Sequence, residues 1–279
     1  MLSWLGVRHS LWKPRKRDAR NDQGNSYGRS APLVGLAPFL LTALVLSNSG
    51  PIWLEKVWGW DERAGIRKSL HLFDKQQRNC GTGHYTLRAS RDGRLFAEME
   101  LFLEGHEKIH QKVEMLNFGP LQPVSYRHHH FRADAAKSFE IEFPSGRVRC
   151  WVRENGRGVE QEFVLQFDQQ RTYAGLMFIL LAIHFPQGVE EIDGHTVNFD
   201  PEPSTLKVRL RRVSREQISL GDRSVGAVKY TIQPRLPQIV SLLVGGYFDN
   251  HVWVSETEPA TFLRFEGSLE PGGPFFRIE

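Results

Sequence analysis

The stretch 137–155, KSFEIEFPSGRVRCWVREN, constrains the fold more than any other part of this 279-residue chain. In an extended chain successive side chains point to opposite faces. Phe139, Ile141 and Phe143 then share one face against Glu140 and Glu142. Pro144-Ser145-Gly146 makes a turn, after which Val148, Cys150 and Val152 alternate with Arg147, Arg149, Trp151 and Arg153. The result is a hairpin with one dry and one wet side. Extended runs also occupy 84–90, 94–105, 107–118, 122–133 and 158–167, then 189–199, 204–216, 223–234, 251–256, 260–267 and 274–279. Turn residues part them, among them Asp92-Gly93, Gly119-Pro120, Asp193-Gly194 and Gly221-Asp222. Short strands and tight turns predict a mainly β (β-rich α+β) fold: a curved antiparallel sheet, or incomplete β-barrel, with one or two packed helices.

Three segments depart from this period. RTYAGLMFILLAIHF (171–185) is apolar on every side and too short to span a bilayer. It reads as a helix buried in the hollow of the sheet, with a central strand as the alternative. LPQIVSLLVGGY (236–247) reads as a short helix opened by Pro237 and closed by Gly245-Gly246. In the segment 50–75, Trp53, Val57, Trp60 and Ala64 fall at helical spacing. They define an amphipathic stretch that either lies on a membrane or packs its aromatics on the domain. The expected organisation is a leader over 1–49, a connecting segment over 50–78 and a β-rich half-barrel over 79–279.

The net charge of +4 is an N-terminal property. Residues 1–30 carry +5, from seven Lys/Arg against Asp18 and Asp22, so residues 31–279 come to −1. A nucleic-acid binder needs its basic footprint on the folded part, so no nucleic-acid partner is expected. The basic start is followed by APLVGLAPFLLTALVL (31–46), sixteen residues without a charge. That order builds an export signal, with Ser47-Asn48-Ser49 offering small residues for cleavage. The alternative is an uncleaved anchor with its basic end in the cytoplasm. Either way the expected location is extracytoplasmic, in the periplasm, soluble or held at the inner membrane by residues 31–46. No cysteine stands directly after the apolar run, so a lipid-modified N-terminus is not expected. In an oxidising compartment Cys80 and Cys150 are candidates for one disulfide, and two buried free thiols are the alternative.

The nearest thing to a chemical signature is SYRHHHF (125–131). On a strand, His128 and His130 share a side with Tyr126, and His129 points away with Arg127 and Phe131. His128 and His130 are weak metal candidates, because a site needs a third ligand and outer support. His106, His110, Glu107 and Glu114 are the available contributors, and all suit a solvated face equally. Polar rim histidine is the leading reading, with a pH sensor as another. The carboxylate pairs Glu98/Glu100 and Glu140/Glu142 sit on open polar faces, which do not raise a pKa as acid catalysis requires. Ser224, in DRSVGAV, lacks the glycine of a nucleophile elbow, and no phosphate-binding loop occurs. No catalytic residue, metal or cofactor is therefore assigned. In KVRLRRVSR (207–215), Lys207, Arg209 and Arg211 point outward against Val208 and Leu210, a charged sheet face or an anion contact. A sheet bent around an apolar helix can enclose a cavity for an acyl chain. Phe139, Phe143, Phe163, Phe167 and Phe262 are candidates for its lining, or for plain core.

The C-terminal half adds a likeness. LKVRLRRVSREQI, GAVKYTIQP, LPQIVSLLV, HVWVSETEPATFLRFEGSL and GGPFFRIE resemble a family of uncharacterised exported bacterial proteins. That family is similar in expected fold to the periplasmic lipoprotein carriers, a curved antiparallel sheet half-closed around helices. The resemblance covers about residues 80–279 and implies a lipid or other apolar ligand in the hollow of the sheet. It supplies no catalytic residues. The expected function is non-enzymatic. An envelope-complex module with a filled core is the alternative, and a metal-dependent enzyme using His128 and His130 comes third.

Overall fold

The computed structural model describes residues 65–117, 120–154, 157–199, 203–235, 250–269 and 273–279. The leader, the apolar run 31–46, the Trp53–Ala64 spacing and the helix expected at 236–247 lie outside the described residues. The strands are β1 (Ile66–Phe73), β2 (Asn79–Ala89), β3 (Arg94–Leu103), β4 (Glu107–Asn117), β5 (Leu121–Phe131), β6 (Ala135–Glu142), β7 (Arg147–Glu154), β8 (Arg157–Val164), β9 (Thr172–Tyr173), β10 (Glu191–Asn198), β11 (Ser204–Leu220), β12 (Arg223–Pro234), β13 (Asn250–Ser255), β14 (Phe262–Ser268) and β15 (Phe275–Ile278). Among the described residues one α-helix forms, α1 (Met177–Ile183).

All fifteen strands join one sheet in the order β8-β7-β6-β5-β4-β3-β2-β1-β15-β14-β13-β12-β11-β10-β9. Every neighbouring pair but one is consecutive in the chain, so the sheet is two meanders fused where β1 meets β15. Pairing is antiparallel throughout, apart from β9 beside β10. In a flat sheet fourteen strand spacings of about 4.8 Å would hold β8 and β9 ~67 Å apart. The link between them, residues 165–171, can span at most about 28 Å. The sheet must therefore curl until its edges approach, which makes it a curved, incomplete barrel.

The predicted hairpin is present with the predicted faces. Phe139 opposes Cys150 and Ile141 opposes Val148 inside, whereas Glu140 faces Arg149 and Glu142 faces Arg147 outside. The connecting segment needs correction. Helical spacing does not extend into 66–73, where Ile66, Lys68, Leu70 and Leu72 alternate with Arg67, Ser69 and His71. This strand lies in the middle of the sheet, so the described β-rich domain starts ahead of residue 79.

The helix expected over 171–185 is shorter than its apolar run. Thr172 and Tyr173 form an edge strand, Gly175 turns the backbone at φ +45°, and α1 follows. All seven α1 side chains are buried, Met177 and Leu180 completely. A helix apolar all round needs an enclosing sheet, and the curl supplies it. Where α1 begins, buried Gln111 of β4 accepts from the Leu176 N–H at 3.2 Å through Oε1. Its Nε2 lies 3.2 Å from His128 Nδ1, and Tyr126 Oη lies 3.3 Å from the same nitrogen.

At the other end of α1, the His184 N–H donates to the Leu180 carbonyl at 3.0 Å. Burial pushes the His184 imidazole down to about 4. Between pH 6.5 and 4 the unfolded chain thus holds a proton that the folded chain lacks, so stability is full above 6.5 and falls toward 4. The loss should reach about 3 kcal/mol. Urea titrations across this window should show it, and His184→Gln should flatten the profile.

Candidate ligand cleft

On the inner face of β1, Lys68 stands where an apolar residue would continue the row of Ile66, Leu70 and Leu72. Its partner across the strand pair is Tyr85 of β2, with Ile66 opposite Leu87 and Leu70 opposite Gly83. β15 covers the other side of β1 only at Leu72 and Phe73, with Glu279 bonded to His71 just beyond. From Leu70 back to Ile66 no described strand pairs with that side, and the start of β14 lies across from it. The gap is a cleft of about 230 Å³ whose walls include Ile66, Lys68, Tyr85, Leu87, Leu220, Phe262 and Leu263. Leu220 and Leu263 belong to a small outer cluster around Trp253, and the others to the interior, as expected where a sheet is split.

One polar group marks this cleft. The Lys68 amine reaches across it to the carbonyls of Leu263 at 2.9 Å and Phe262 at 3.4 Å, with the Phe262 ring 5.4 Å away. Burial pushes this amine down to about 8, against the pull of Glu279, and Arg264 lowers it further. Tyr85, opposite Lys68, is 2 % exposed, and its hydroxyl is buried with no hydrogen-bond partner among the described residues. An unmet buried hydroxyl costs about 1–3 kcal/mol, and buried Thr231 carries another. Burial also pushes the Tyr85 phenol above the usual range. The sequence reading missed Lys68 and Tyr85. The one signal available was a lysine occupying an inward position of an alternating strand.

The structure separates the residues singled out in the sequence. Of the five phenylalanines, only Phe262 lines this cleft. Phe139 stacks on Phe199 at 4.4 Å, and Phe143 meets Phe167 edge-on at 5.6 Å. Phe163 and Phe167 pack against the same core, so the hollow expected between sheet and helix is filled on their side. Cys80 and Cys150 are free thiols, not a disulfide. They belong to β2 and β7, with four strands between them in the sheet order. Burial pushes the Cys150 thiol up to about 11.

The histidines divide by face as predicted, but the rim reading fails for two of them. His128 and His130 are 2 % and 7 % exposed and point inward with Tyr126. Their rings lie 6.4 Å apart, edge to face. His128 is engaged by Gln111 and Tyr126, and His130 Nε2 by Glu107 at 2.5 Å. Among the described residues no three of His, Cys, Asp and Glu are grouped to hold a metal ion. His129 stacks on His110 on the outer face, and burial first, His110 second, hold its imidazole below the ordinary value.

Outer-face carboxylates are paired across strands with cations: Glu98 with His110 and Lys112, Glu100 with Lys108, Glu140 with Arg127 and Arg149. The Lys108 hydrogen bond holds Glu100 below the usual carboxylate range. Glu98 is pushed upward by its burial, but the His110 and Lys112 bonds outweigh that and hold it low as well. Such groups stay ionised and make poor general acids. In the basic string, Arg209 is paired with Glu191 at 3.0 Å and Asp193 at 3.1 Å.

The described residues therefore define a class, a curved antiparallel sheet of the incomplete-barrel kind with an enclosed helix. No protein-family model matches the chain, and no curated protein matches it. Among solved structures it is similar to the crystal structure of a β-barrel-like protein of domain of unknown function DUF1849 from Brucella abortus. The likeness has 6 % identity and a TM-score of 0.41, over 77 % of this chain and 93 % of that one.

Proposed function

We propose that this is a non-enzymatic extracytoplasmic protein of the bacterial envelope that binds an apolar ligand, as a lipoprotein carrier would, in the cleft between β1 and β14. The observation that carries this is the set of apolar walls made by Ile66, Tyr85, Leu87, Leu220 and Phe262, with the Lys68 amine reaching across them. An apolar recess with few polar groups is what small-ligand sites have in common. At about 30 Å³ for a water-sized group, 230 Å³ takes about eight such groups. A longer chain would have part of its length outside. The basic leader and apolar run 31–46 support delivery across the inner membrane. A binding role is further supported by outer carboxylates held ionised and by His128 engaged in the Gln111 network.

The second reading, an interaction module of an envelope complex, is favoured by the filling of the interior around α1. Native mass spectrometry of the full chain recovered from an envelope fraction tests both. A small apolar molecule released on denaturation is the expected result. A protein partner with no small molecule supports the second reading, and stoichiometric zinc or recovery from the cytosol contradicts both.

A further inference from the structure

A charged amine set among apolar walls needs a compensating partner. Lys68 has three donors to place. Two reach the carbonyls of Leu263 and Phe262, and the third has no acceptor among the described residues. The carboxylate within reach of its field, Glu279, is committed elsewhere. Its Oε2 accepts from Arg264 Nε at 2.9 Å and Nη2 at 2.8 Å, and Arg277 lies 3.6 Å from its Oε1. Two guanidiniums and the Lys68 amine thus share one carboxylate, and Arg264 repels the amine that Glu279 attracts. Positive charge is in excess behind the apolar walls. An apolar side chain at this position would continue the inner row of Ile66, Leu70 and Leu72 without that cost, so the lysine needs a task that such a residue could not perform.

We propose that the ligand is an alkyl monocarboxylate: its carboxylate accepts from the Lys68 amine, and its chain lies against Ile66, Tyr85, Leu87 and Phe262. The inference rests on the reading of this cleft as an apolar-ligand site and adds the head group. A single negative charge offsets the local excess, and a charge-assisted hydrogen bond is about twice as strong as a neutral one. An alcohol of the same length covers the walls but leaves the amine unmatched, and an alkylamine adds one more repelled cation. The Lys68 amine must be charged to hold the carboxylate. Burial pushes it down to about 8, so affinity for the carboxylate should be full below 8 and fall as pH rises beyond it.

The test is calorimetric titration of the full chain with octanoate, octanol and octylamine. At neutral pH octanoate should bind at least about tenfold tighter than octanol, with octylamine weakest. Raising the pH to about 9.5 should remove most of that preference and leave octanol binding within about twofold. Lys68→Met keeps an unbranched side chain without the charge. It should weaken octanoate about tenfold and leave octanol within about twofold. A lysine that only ties β1 to β14 would change both ligands alike, and that outcome overturns the proposal. Equal affinity of the native chain for octanoate and octanol overturns it too, as does an octanoate preference that survives the rise in pH. In each of these cases the cleft remains a site for apolar ligands. The pH series decides alone if Lys68→Met does not fold. If none of the three molecules binds, the cleft reading fails together with the head group.

Discussion

Leu180→Ala is expected to destabilise the protein by about 3–4 kcal/mol. Leu180 is completely buried at the middle of α1, a helix whose seven side chains are all enclosed by the curved sheet. Truncation removes the transfer free energy of the lost carbons and leaves a cavity that a closed interior cannot collapse to fill. The neighbouring Met177 and Leu176, at 0 % and 2 % exposed, have no slack to move into the space. Val164→Ala is the control: Val164 is 72 % exposed on β8, and its change should stay within about 0.5 kcal/mol. Urea unfolding followed by circular dichroism measures both. A Leu180→Ala effect as small as that of the control would mean that α1 does not fill the interior.

Gly175→Ala is expected to cost about 3 kcal/mol, although it adds one methyl group. Two independent penalties combine. At φ +45° the backbone of Gly175 is in the left-handed region, where a side chain costs about 1–2 kcal/mol. A Cβ there would also lie 2.5 Å from Tyr126 Oη and 2.9 Å from Gln111 Oε1. Those atoms belong to the network that receives the Leu176 N–H and engages His128, so they cannot withdraw without breaking hydrogen bonds. Gly188→Ala separates the terms. Gly188 has φ +77° but nothing within reach of an added Cβ, so only the backbone penalty remains. Equal losses in the two variants would remove the steric part of the argument.

These two sites show which features the sequence discloses. Strand content was legible because Phe139, Ile141 and Val148 keep a two-residue period between turn residues, and that period survives any tertiary context. The apolar run at 171–185 was legible as an enclosed helix for the same local reason, but its true start depended on Gly175 meeting Tyr126 and Gln111, which are far away in the chain. The pairing of β1 with β15 joins residues about 200 positions apart, and no local pattern encodes it. The cleft arises where that pairing stops, so it was out of reach too. His128 and His130 were misjudged because polarity favours the surface, whereas Gln111, Tyr126 and Glu107 satisfy them inside. The tryptophan spacing before residue 65 drew attention away from the alternation that starts at Ile66.

α1 fills the hollow of the sheet, and the proposed ligand site is the gap between β1 and β14. Methyl NMR of the full chain, labelled at isoleucine and leucine and titrated with octanoate, tests it most directly. The account predicts shifts at Ile66, Leu87, Leu220 and Leu263, which line the gap, and none at Leu180 or Ile183 of α1. Shifts centred on Leu180 and Ile183, with the gap residues unmoved, would contradict it.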